Sequence, residues 1–211
     1  MYVEELWRYP VKSLAGERLE RVNVGRDGLQ WDREVVVVNG AGKVTTSRTR
    51  PQLLALKGTT NADGRVFVDG HPWESVETRR LVQSAAGTDT RLVRFPDPLR
   101  FDILPLSVLT TGAVEYLGVD RRRFRPNILI GGVDGLAERD WEGRRVRIGS
   151  AVIGFAQLRG RCVMTTYDPD TQQQDLNVLR RIVNELEGTL SLDSFVVDPG
   201  VISAGDEVMF V

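Results

Sequence analysis

The chain has 211 residues, of which 41% are hydrophobic and 27% are charged, and its formal net charge at pH 7 is -1. This length allows one domain or two small fused domains with a substantial core, and the composition is that of an ordinary globular protein. A net charge this close to zero excludes a general electrostatic attraction to nucleic acids or acidic membranes, so we expect neither as a partner.

The N-terminal segment lacks the features of a secretion signal, because it carries Glu4 and Glu5 early and has no apolar core. The longest purely aliphatic run, residues 35–38, is far too short to span a bilayer. Cys162 is the single cysteine, so the chain cannot form an internal disulfide. These features predict a cytoplasmic protein.

Ten short segments are rich in β-branched or aromatic residues and are separated by turn residues, a pattern that predicts β-strands. They cover residues 19–24, 33–38, 53–57, 65–69, 90–94, 127–130, 145–148, 152–158, 194–197 and 207–211. Two loops of the type that closes β-hairpins, Asn-Gly-Ala-Gly at 39–42 and Asn-Ala-Asp-Gly at 61–64, predict hairpins.

Two helices are predicted. Residues 175–187 place apolar side chains on one face at helical spacing, and Gly188 provides a C-terminal stop. A shorter helix over residues 110–117 begins at two threonines whose hydroxyls can cap it. Many short strands with few helices predict a mainly β (α+β), barrel-like fold.

The segment Phe95-Pro96-Asp97-Pro98 is the predicted domain boundary, because two prolines within four residues interrupt any strand or helix. We therefore predict a smaller, β-rich N-terminal domain, residues 1–95, and a larger C-terminal domain, residues 96–211.

Cys162 lies in the chemically richest part of the chain, the segment RCVMTTYDPDT at residues 161–171. A lone cysteine can act as a nucleophile, as one ligand to a metal that brings its other ligands, or as a buried apolar side chain. The neighbouring Arg161 is the kind of cation that accompanies reactive thiolates. Asp168 and Asp170 flank a proline and are expected to shape the loop that follows.

Three other segments carry cations and amides. They are RYPVKSLAG at 8–16, GLQWDR at 28–33 together with TSRTRPQL at 46–53, and RFRPNI at 123–128. Lys12 offers a mobile point charge suited to phosphate, Arg33 and Arg125 offer planar forks, and the Asn127 amide can meet a polar heterocycle. Each one alone most simply makes a surface contact, whereas together they predict an anion site beside a thiol.

The arginine run at residues 121–123 precedes the last of these segments. It is interpreted as a solvated entry to a strand. The alternative is a docking patch for an acidic redox partner.

In this order, the motifs Tyr-Pro-Val-Lys-Ser, Gly-Leu-x-x-Asp-Arg, Thr-x-Arg-x-x-Pro-x-Leu, Arg-Phe-Arg-Pro-Asn-Ile and Arg-Cys-x-x-Thr-Thr-x-Asp-Pro-Asp-Thr resemble the MOSC superfamily. That family includes the molybdenum cofactor sulfurase C-terminal domain and the mitochondrial amidoxime reducing component. The resemblance runs from about residue 6 to 211. It implies a barrel-like MOSC fold and covers both the MOSC N-terminal β-barrel domain and the MOSC domain.

The resemblance implies a molybdenum cofactor (molybdopterin) with Cys162 as the only protein ligand to the metal. One soft ligand is enough because the pterin dithiolene supplies two sulfurs and oxo groups complete the coordination sphere. Seven further positions match residues that contact the phosphate and pterin. They are Lys12, Ser13, Arg33, Thr110, Arg125, Asn127 and Arg161.

Two departures from the family pattern lie close to the cysteine. Gly160 stands where the reductase branch commonly has a small hydroxyl residue, and Gln172 stands where glycine is usual. These residues leave substrate preference open.

Three functions are compatible with these features. The first is a reductase of N-oxygenated, for example N-hydroxylated, small molecules with Cys162 at the catalytic metal. The second is a carrier of the cofactor or of sulfur, and the third is a binding module that has lost the cofactor. We favour the first, because the N-terminal domain and the phosphate-binding positions are retained. Its electrons must come from a separate ferredoxin, flavoprotein or cytochrome, since one cysteine cannot hold an iron–sulfur cluster.

Overall fold

The computed structural model describes residues 1–95 and 100–211. Within them the strands are β1 (Tyr2–Arg8), β2 (Glu17–Leu19), β3 (Arg21–Gly25), β4 (Gly28–Leu29), β5 (Val35–Val38), β6 (Val44–Thr45), β7 (Gly58–Thr60), β8 (Val66–Val68), β9 (His71–Pro72), β10 (Arg91–Arg94), β11 (Leu106–Thr110), β12 (Ile128–Gly131), β13 (Arg145–Ile148), β14 (Ala151–Gly160), β15 (Thr189–Asp198), β16 (Gly200–Ser203) and β17 (Val208–Phe210). The α-helices are α1 (Val76–Ala86), α2 (Thr111–Leu117) and α3 (Leu176–Leu186). This content confirms the predicted mainly β fold with few helices.

The largest sheet has eight strands in the order β17-β13-β14-β15-β11-β12-β1-β2. Its neighbours pair antiparallel except for the parallel pair of β11 and β12. The sheet curls so that β1 approaches β17. At this approach Tyr2 forms a bridge with Glu207, and the Val3 N–H donates to the Asp206 carbonyl at 2.9 Å. Buried side chains such as Leu6 fill the interior and give the sheet its barrel-like form.

Three smaller sheets accompany it, with strand orders β10-β5-β6, β7-β8-β9 and β16-β3-β4. The first two enclose a second core together with α1. That helix begins at Ser75, whose hydroxyl accepts the Thr78 N–H at 3.1 Å, and it buries Thr78, Val82 and Ala86 at four-residue spacing. This core therefore forms a compact unit beside the barrel.

The first thirty residues belong to both units. Strands β1, β3 and β4 contribute Leu6, Val24 and Leu29 to the barrel core, and β3 pairs with β16 near the C-terminus. Between them, Val11 and Leu14 pack into the second core. The segment that carries Lys12 and Ser13 therefore runs between the two cores.

The predicted boundary at residues 95–98 falls mostly on residues 96–98, which lie outside the described residues. The division into residues 1–95 and 96–211 therefore stays a prediction.

Helices α2 and α3 pack together through a third apolar cluster that includes Leu109, Phe124 and Ile182. The predicted helix at 175–187 is confirmed, with Asp175 capping its first turn and Gly188, at φ 77°, following its last residues. The Gly188 N–H returns to the Ile182 carbonyl at 3.0 Å, which closes the C-terminus. The helix at 110–117 is confirmed as α2, with Thr110 as its cap.

Nine of the ten predicted strands overlap strands of the structure, and both predicted hairpins form. The strand predicted at 53–57 is wrong, because Pro51–Ala55 is a 3₁₀ turn that buries Leu53 and Leu54. Pro51 at its start fixes a helical φ and cannot donate to a ladder. Helix α1 and several strands, among them β4, β9, β11 and β16, were not predicted. In the described part of the chain, no helix combines the length and hydropathy needed to cross a membrane.

Candidate cofactor site

Residues from distant parts of the chain meet in a cavity of about 110 Å³, here called the thiol cavity. Seven of the eight predicted site residues line it. They are Lys12, Ser13, Arg33, Arg125, Asn127, Arg161 and Cys162. The structure therefore brings together side chains that are separated by up to 150 positions in sequence, while their roles in binding stay predictions.

Cys162 lies just after β14, where the chain leaves the barrel. It caps the 3₁₀ turn Val163–Thr166, and its carbonyl accepts the Thr165 N–H at 3.1 Å and the Thr165 hydroxyl at 3.0 Å. These bonds fix the backbone, while the thiol is free and half-buried at the cavity. Among the described residues, no cluster of three or more His, Cys, Asp or Glu side chains is arranged to hold a metal ion. A metal at Cys162 would therefore need its other ligands from a bound molecule.

Two arginines lie over the ring of Tyr9, with guanidinium-to-centroid distances of 4.9 Å for Arg33 and 4.1 Å for Arg125. Burial raises the pKa of Tyr9 to about 12, and the Tyr9 hydroxyl donates to the Pro126 carbonyl at 3.1 Å. Burial also lowers the pKa of Arg125 to about 10, and its Nη2 has no hydrogen-bond partner among the described residues. Arg125 is thus a half-buried cation with one buried donor that the described residues do not use.

A buried carboxylate, that of Asp32, holds this cluster in place. It accepts the backbone N–H of Tyr9 at 2.7 Å and the Nδ2 group of Asn127 at 3.3 Å, and it pairs with Arg33. The side chain of Asp32 is 0% exposed. Asp32 was part of the Asp-Arg motif, yet sequence reasoning assigned it no role at the site.

The side-chain amide of Asn127, predicted to meet a polar heterocycle, is hydrogen-bonded within the protein. Its Nδ2 group donates to the Trp7 carbonyl at 3.2 Å and to Asp32, and its Oδ1 accepts the Ser107 N–H at 3.1 Å. With only 1% of its surface exposed and its amide engaged by protein, Asn127 positions strands and Asp32, and its contact with a bound heterocycle stays a prediction.

Thr110 is the predicted site residue that does not line the thiol cavity. Its hydroxyl donates to Glu138 at 2.9 Å and its oxygen accepts the Ala113 N–H at 3.2 Å, so both functions of the side chain are used inside the protein. The Thr110 side chain thus caps α2, and its predicted cofactor contact stays a prediction. Burial raises the pKa of Glu138, its partner.

Lys12 and Arg48 converge on Asp102, which no sequence argument identified. The Lys12 ammonium lies 2.8 Å from Asp102 Oδ1 and also donates to the Arg100 carbonyl at 2.8 Å, and Arg48 lies 2.7 Å from Asp102 Oδ2. Burial acts to raise the pKa of Asp102, but the hydrogen bond and charge of Lys12, with the other nearby cations, outweigh it and lower that pKa. A bound anion would therefore share Lys12 with Asp102.

Arg161 and Arg159 approach the cavity from the end of β14. Arg161 donates to the Phe124 carbonyl at 2.8 Å and to Ser191 Oγ at 3.3 Å, and burial lowers its pKa to about 10. Arg159 pairs with the fully buried Asp193 at 2.5 Å. Sequence reasoning missed Arg159, although its two-residue spacing from Arg161 would have placed both on one face of a strand.

The thiol cavity is strongly cationic, because eight basic residues and one acidic residue line it among the described residues. The basic residues are Lys12, Arg33, Arg48, Arg100, Arg123, Arg125, Arg159 and Arg161, and the acidic one is Asp102. Neither Arg125 nor Arg161 has an ion-pair partner in the described part of the chain, and each has a buried N–H without an acceptor there. These unused donors fit a bound anion such as a phosphate, and the thiol of Cys162 fits a soft metal.

Each arginine of the run at 121–123 is paired with carboxylates. Arg121 pairs with Glu5, Arg122 with Asp120 and Asp170, and Arg123 with Asp168. The positive charge of the run is therefore largely compensated, which favours the structural interpretation over a docking patch. Asp168 also accepts the N–H groups of Asp170 and Thr171, as expected for a loop-shaping residue.

A barrel-like β fold with one thiol at a cationic cavity defines the class of protein. Family models agree with this architecture: the MOSC N-terminal beta barrel domain matches residues 1–97, and the MOSC domain matches residues 109–209. The chain belongs to the MOSC superfamily, which confirms the resemblance seen in its motifs.

Curated relatives include the mitochondrial amidoxime-reducing component 1 of Homo sapiens, 24% identical over 98% of this chain and 82% of the relative. The Mus musculus protein of the same name is 27% identical over 98% of this chain and 81% of the relative. Among solved structures, the YUAD protein from Bacillus subtilis matches with a TM-score of 0.52 and 16% identity, over 98% of this chain and 93% of that one, and supports the fold alone. The family and the curated relatives support a function associated with the molybdenum cofactor.

Proposed function

We propose that this protein is a molybdenum-cofactor-dependent reductase of N-oxygenated small molecules, with Cys162 as the only protein ligand to the metal. The observation that carries the proposal is the half-buried thiol of Cys162 in a cavity where Arg125 and Arg161, also half-buried, each have a buried N–H that is not used. The names of the curated relatives support the choice of N-oxygenated substrates, since they are amidoxime-reducing components at 24–27% identity.

When bound, the cofactor supplies a metal centre that accepts oxygen from an N–O group in a two-electron step. The chain's own residues bind and orient it. Arg125 and Arg161 would hold the phosphate and pterin through their free N–H groups, and Lys12 would add a mobile cation. The hydrogen bonds from Thr165 to the Cys162 carbonyl fix the backbone that carries the thiol.

The overall reaction converts an N–OH group to N–H and water, and it consumes two electrons and two protons. The chain has one cysteine, so it cannot hold an iron–sulfur cluster of its own. A separate ferredoxin, flavoprotein or cytochrome must therefore deliver the electrons. Because the arginines at 121–123 are already paired, we expect docking of this donor to depend on other parts of the surface.

The test is reduction of benzamidoxime to benzamidine by protein made in a molybdate-replete host, with NADH and candidate donor proteins. The wild-type protein should form the amidine, and Cys162→Ser should not. Lys43→Met, an exposed change in the 39–42 hairpin region, is the matched control and should keep wild-type activity. A protein that retains cofactor yet reduces no N-oxygenated substrate with any donor would contradict the reductase and favour a carrier.

A further inference from the structure

A second cavity, of about 320 Å³ and here called the side cavity, lies next to the thiol cavity. Arg123, Arg125 and Met164 line both cavities and therefore form the wall between them. The volume falls in the range of small-molecule sites. Ala15, Leu54 and the residues around them line it from the smaller core unit, and residues 164–172 line it from the barrel, so the side cavity lies where the two units meet.

The walls of the side cavity are mainly aromatic and aliphatic. They include Trp7, Tyr9, Leu54, Met164, Tyr167 and Pro169. The wall at Tyr9 is closely packed, since a Cβ added at Gly16 would lie 2.4 Å from the Arg8 carbonyl oxygen and 2.5 Å from the Tyr9 ring. Tyr9 is also held by its hydroxyl bond to Pro126. A wall fixed in this way suits a flat, apolar ring.

The charges around the side cavity are mostly positive. Its lining has four basic residues and one acidic residue, namely Lys57, Arg122, Arg123, Arg125 and Asp170. Arg122 and Arg123 are compensated by carboxylates, whereas the exposed Lys57 has no ion pair within the described residues. This arrangement disfavours a cationic ligand and favours one that carries a negative group.

We propose that the side cavity binds an aromatic molecule that carries one carboxylate, with the ring against Leu54, Met164 and Tyr167 and the carboxylate at Lys57. The proposed binding of this molecule rests on the side cavity alone. That the bound molecule is the substrate rests on the proposed function, because Met164 in the shared wall is two residues from Cys162. The reductase would then prefer N-oxygenated compounds with an aromatic carboxylate over uncharged ones.

Calorimetric titration of 4-carboxybenzamidoxime and benzamidoxime into the protein, without any electron donor, measures binding apart from turnover. The wild-type protein should bind the carboxylate compound about fivefold more tightly, the upper end for an exposed ion pair. Lys57→Met should remove this preference. Lys43→Met makes the same charge change on the exposed hairpin, outside both cavity linings, and should keep the preference.

A second variant tests the side cavity independently of the contribution that Lys57 makes to binding. Ala55 is an exposed residue of the 3₁₀ turn that lines the side cavity, so Ala55→Trp should fill the cavity without disturbing a core. It should weaken binding of both compounds at least tenfold. Unchanged binding of both compounds in Ala55→Trp, or an unchanged preference in Lys57→Met, would overturn the proposal.

Turnover by the cofactor-loaded protein separates this proposal from the proposed function. The preference should appear as a lower KM for the carboxylate compound, and it should be lost in Lys57→Met and kept in Lys43→Met. Absence of all turnover with the binding pattern intact would refute the reductase and leave the side cavity supported. Turnover of benzamidoxime with selectivity unaffected by Lys57→Met would refute the side cavity and leave the reductase supported.

Discussion

Asp32 holds Tyr9 together with two residues that line the thiol cavity, Arg33 and Asn127. The substitution Asp32→Asn removes its charge while keeping its shape. One carboxylate oxygen accepts the Tyr9 N–H at 2.7 Å, and the other accepts from Arg33 and from Asn127. An asparagine can still accept the Tyr9 N–H through its Oδ1. Its Nδ2 group would then face the donors of Arg33 and Asn127, with no acceptor between them.

The expected cost follows from the burial of this pair. Asp32 is 0% exposed and the Arg33 side chain is 12% exposed, so solvent screens their interaction little. Removing one member of a buried ion pair leaves the other charge without its partner, which typically costs 3–5 kcal/mol. We therefore expect Asp32→Asn to lower the free energy of unfolding by about 3 kcal/mol, at the lower end because Arg33 keeps some exposure and the Tyr9 ring.

Urea unfolding followed by tryptophan fluorescence measures this change. Asp63→Asn is the matched control, since Asp63 is exposed in the 61–64 loop, and it should change the free energy of unfolding by less than about 0.5 kcal/mol. The double variant Asp32→Asn/Arg33→Met should recover part of the loss, because the unpaired charge is gone. A loss for Asp32→Asn no larger than that of the control would refute the view that this carboxylate holds the site together.

Two further predictions concern buried residues other than Cys162, namely Glu138 and Gly16. Burial raises the pKa of the Glu138 carboxyl above its ordinary 4.5, so the folded chain binds the carboxyl proton more tightly than the unfolded chain. The stability that this tighter binding provides is present below pH 4.5. It is lost as the pH rises through the raised pKa of the folded state. A pH series of chemical unfolding should show this decline in the wild-type protein and not in Glu138→Gln, and parallel curves would contradict it. Gly16→Ala should destabilise the fold by about 2 kcal/mol, because the new Cβ would overlap the Arg8 carbonyl and the Tyr9 ring. The control is Gly25→Ala, whose Cβ would meet no atom closer than 4.0 Å and should change the stability by less than about 0.5 kcal/mol. Thermal melts measure both changes, and equal effects would refute the close packing at Gly16.

Local patterns predicted the fold well where the pattern itself determines the structure. The helix α3 has a complete apolar face, an N-cap at Asp175 and a terminating Gly188, so every local signal agreed. Helix α1 was not predicted because its buried face consists only of Thr78, Val82 and Ala86. This face is too narrow to give a clear helical pattern of apolar residues. The 3₁₀ turn at Pro51–Ala55 overlaps the wrongly predicted strand at 53–57. A short apolar run that contains Leu53 and Leu54 is compatible with either structure, so the sequence pattern alone does not distinguish them.

At the site, motifs identified the residues that converge, and only the structure shows which donors are free. The sequence cannot show that the Asn127 amide is used by Trp7, Ser107 and Asp32, because these partners lie 20 to 120 positions away. The same holds for Thr110, whose partner Glu138 is 28 positions distant. Long-range hydrogen bonds of this kind depend on the folded topology, which is why local patterns do not reveal what these two side chains contact.

Metal and pterin analysis of the purified protein tests the central claim most directly. Protein made in a molybdate-replete host should carry molybdenum and a phosphorylated pterin in equal, stoichiometric amounts. Cys162→Ser should lose most of its molybdenum, and its thermal unfolding should match that of wild-type protein prepared without the cofactor, because the thiol is half-buried and its side chain does not cap the turn that follows. Wild-type protein free of molybdenum and pterin, or a Cys162→Ser variant with the wild-type molybdenum content, would contradict the account.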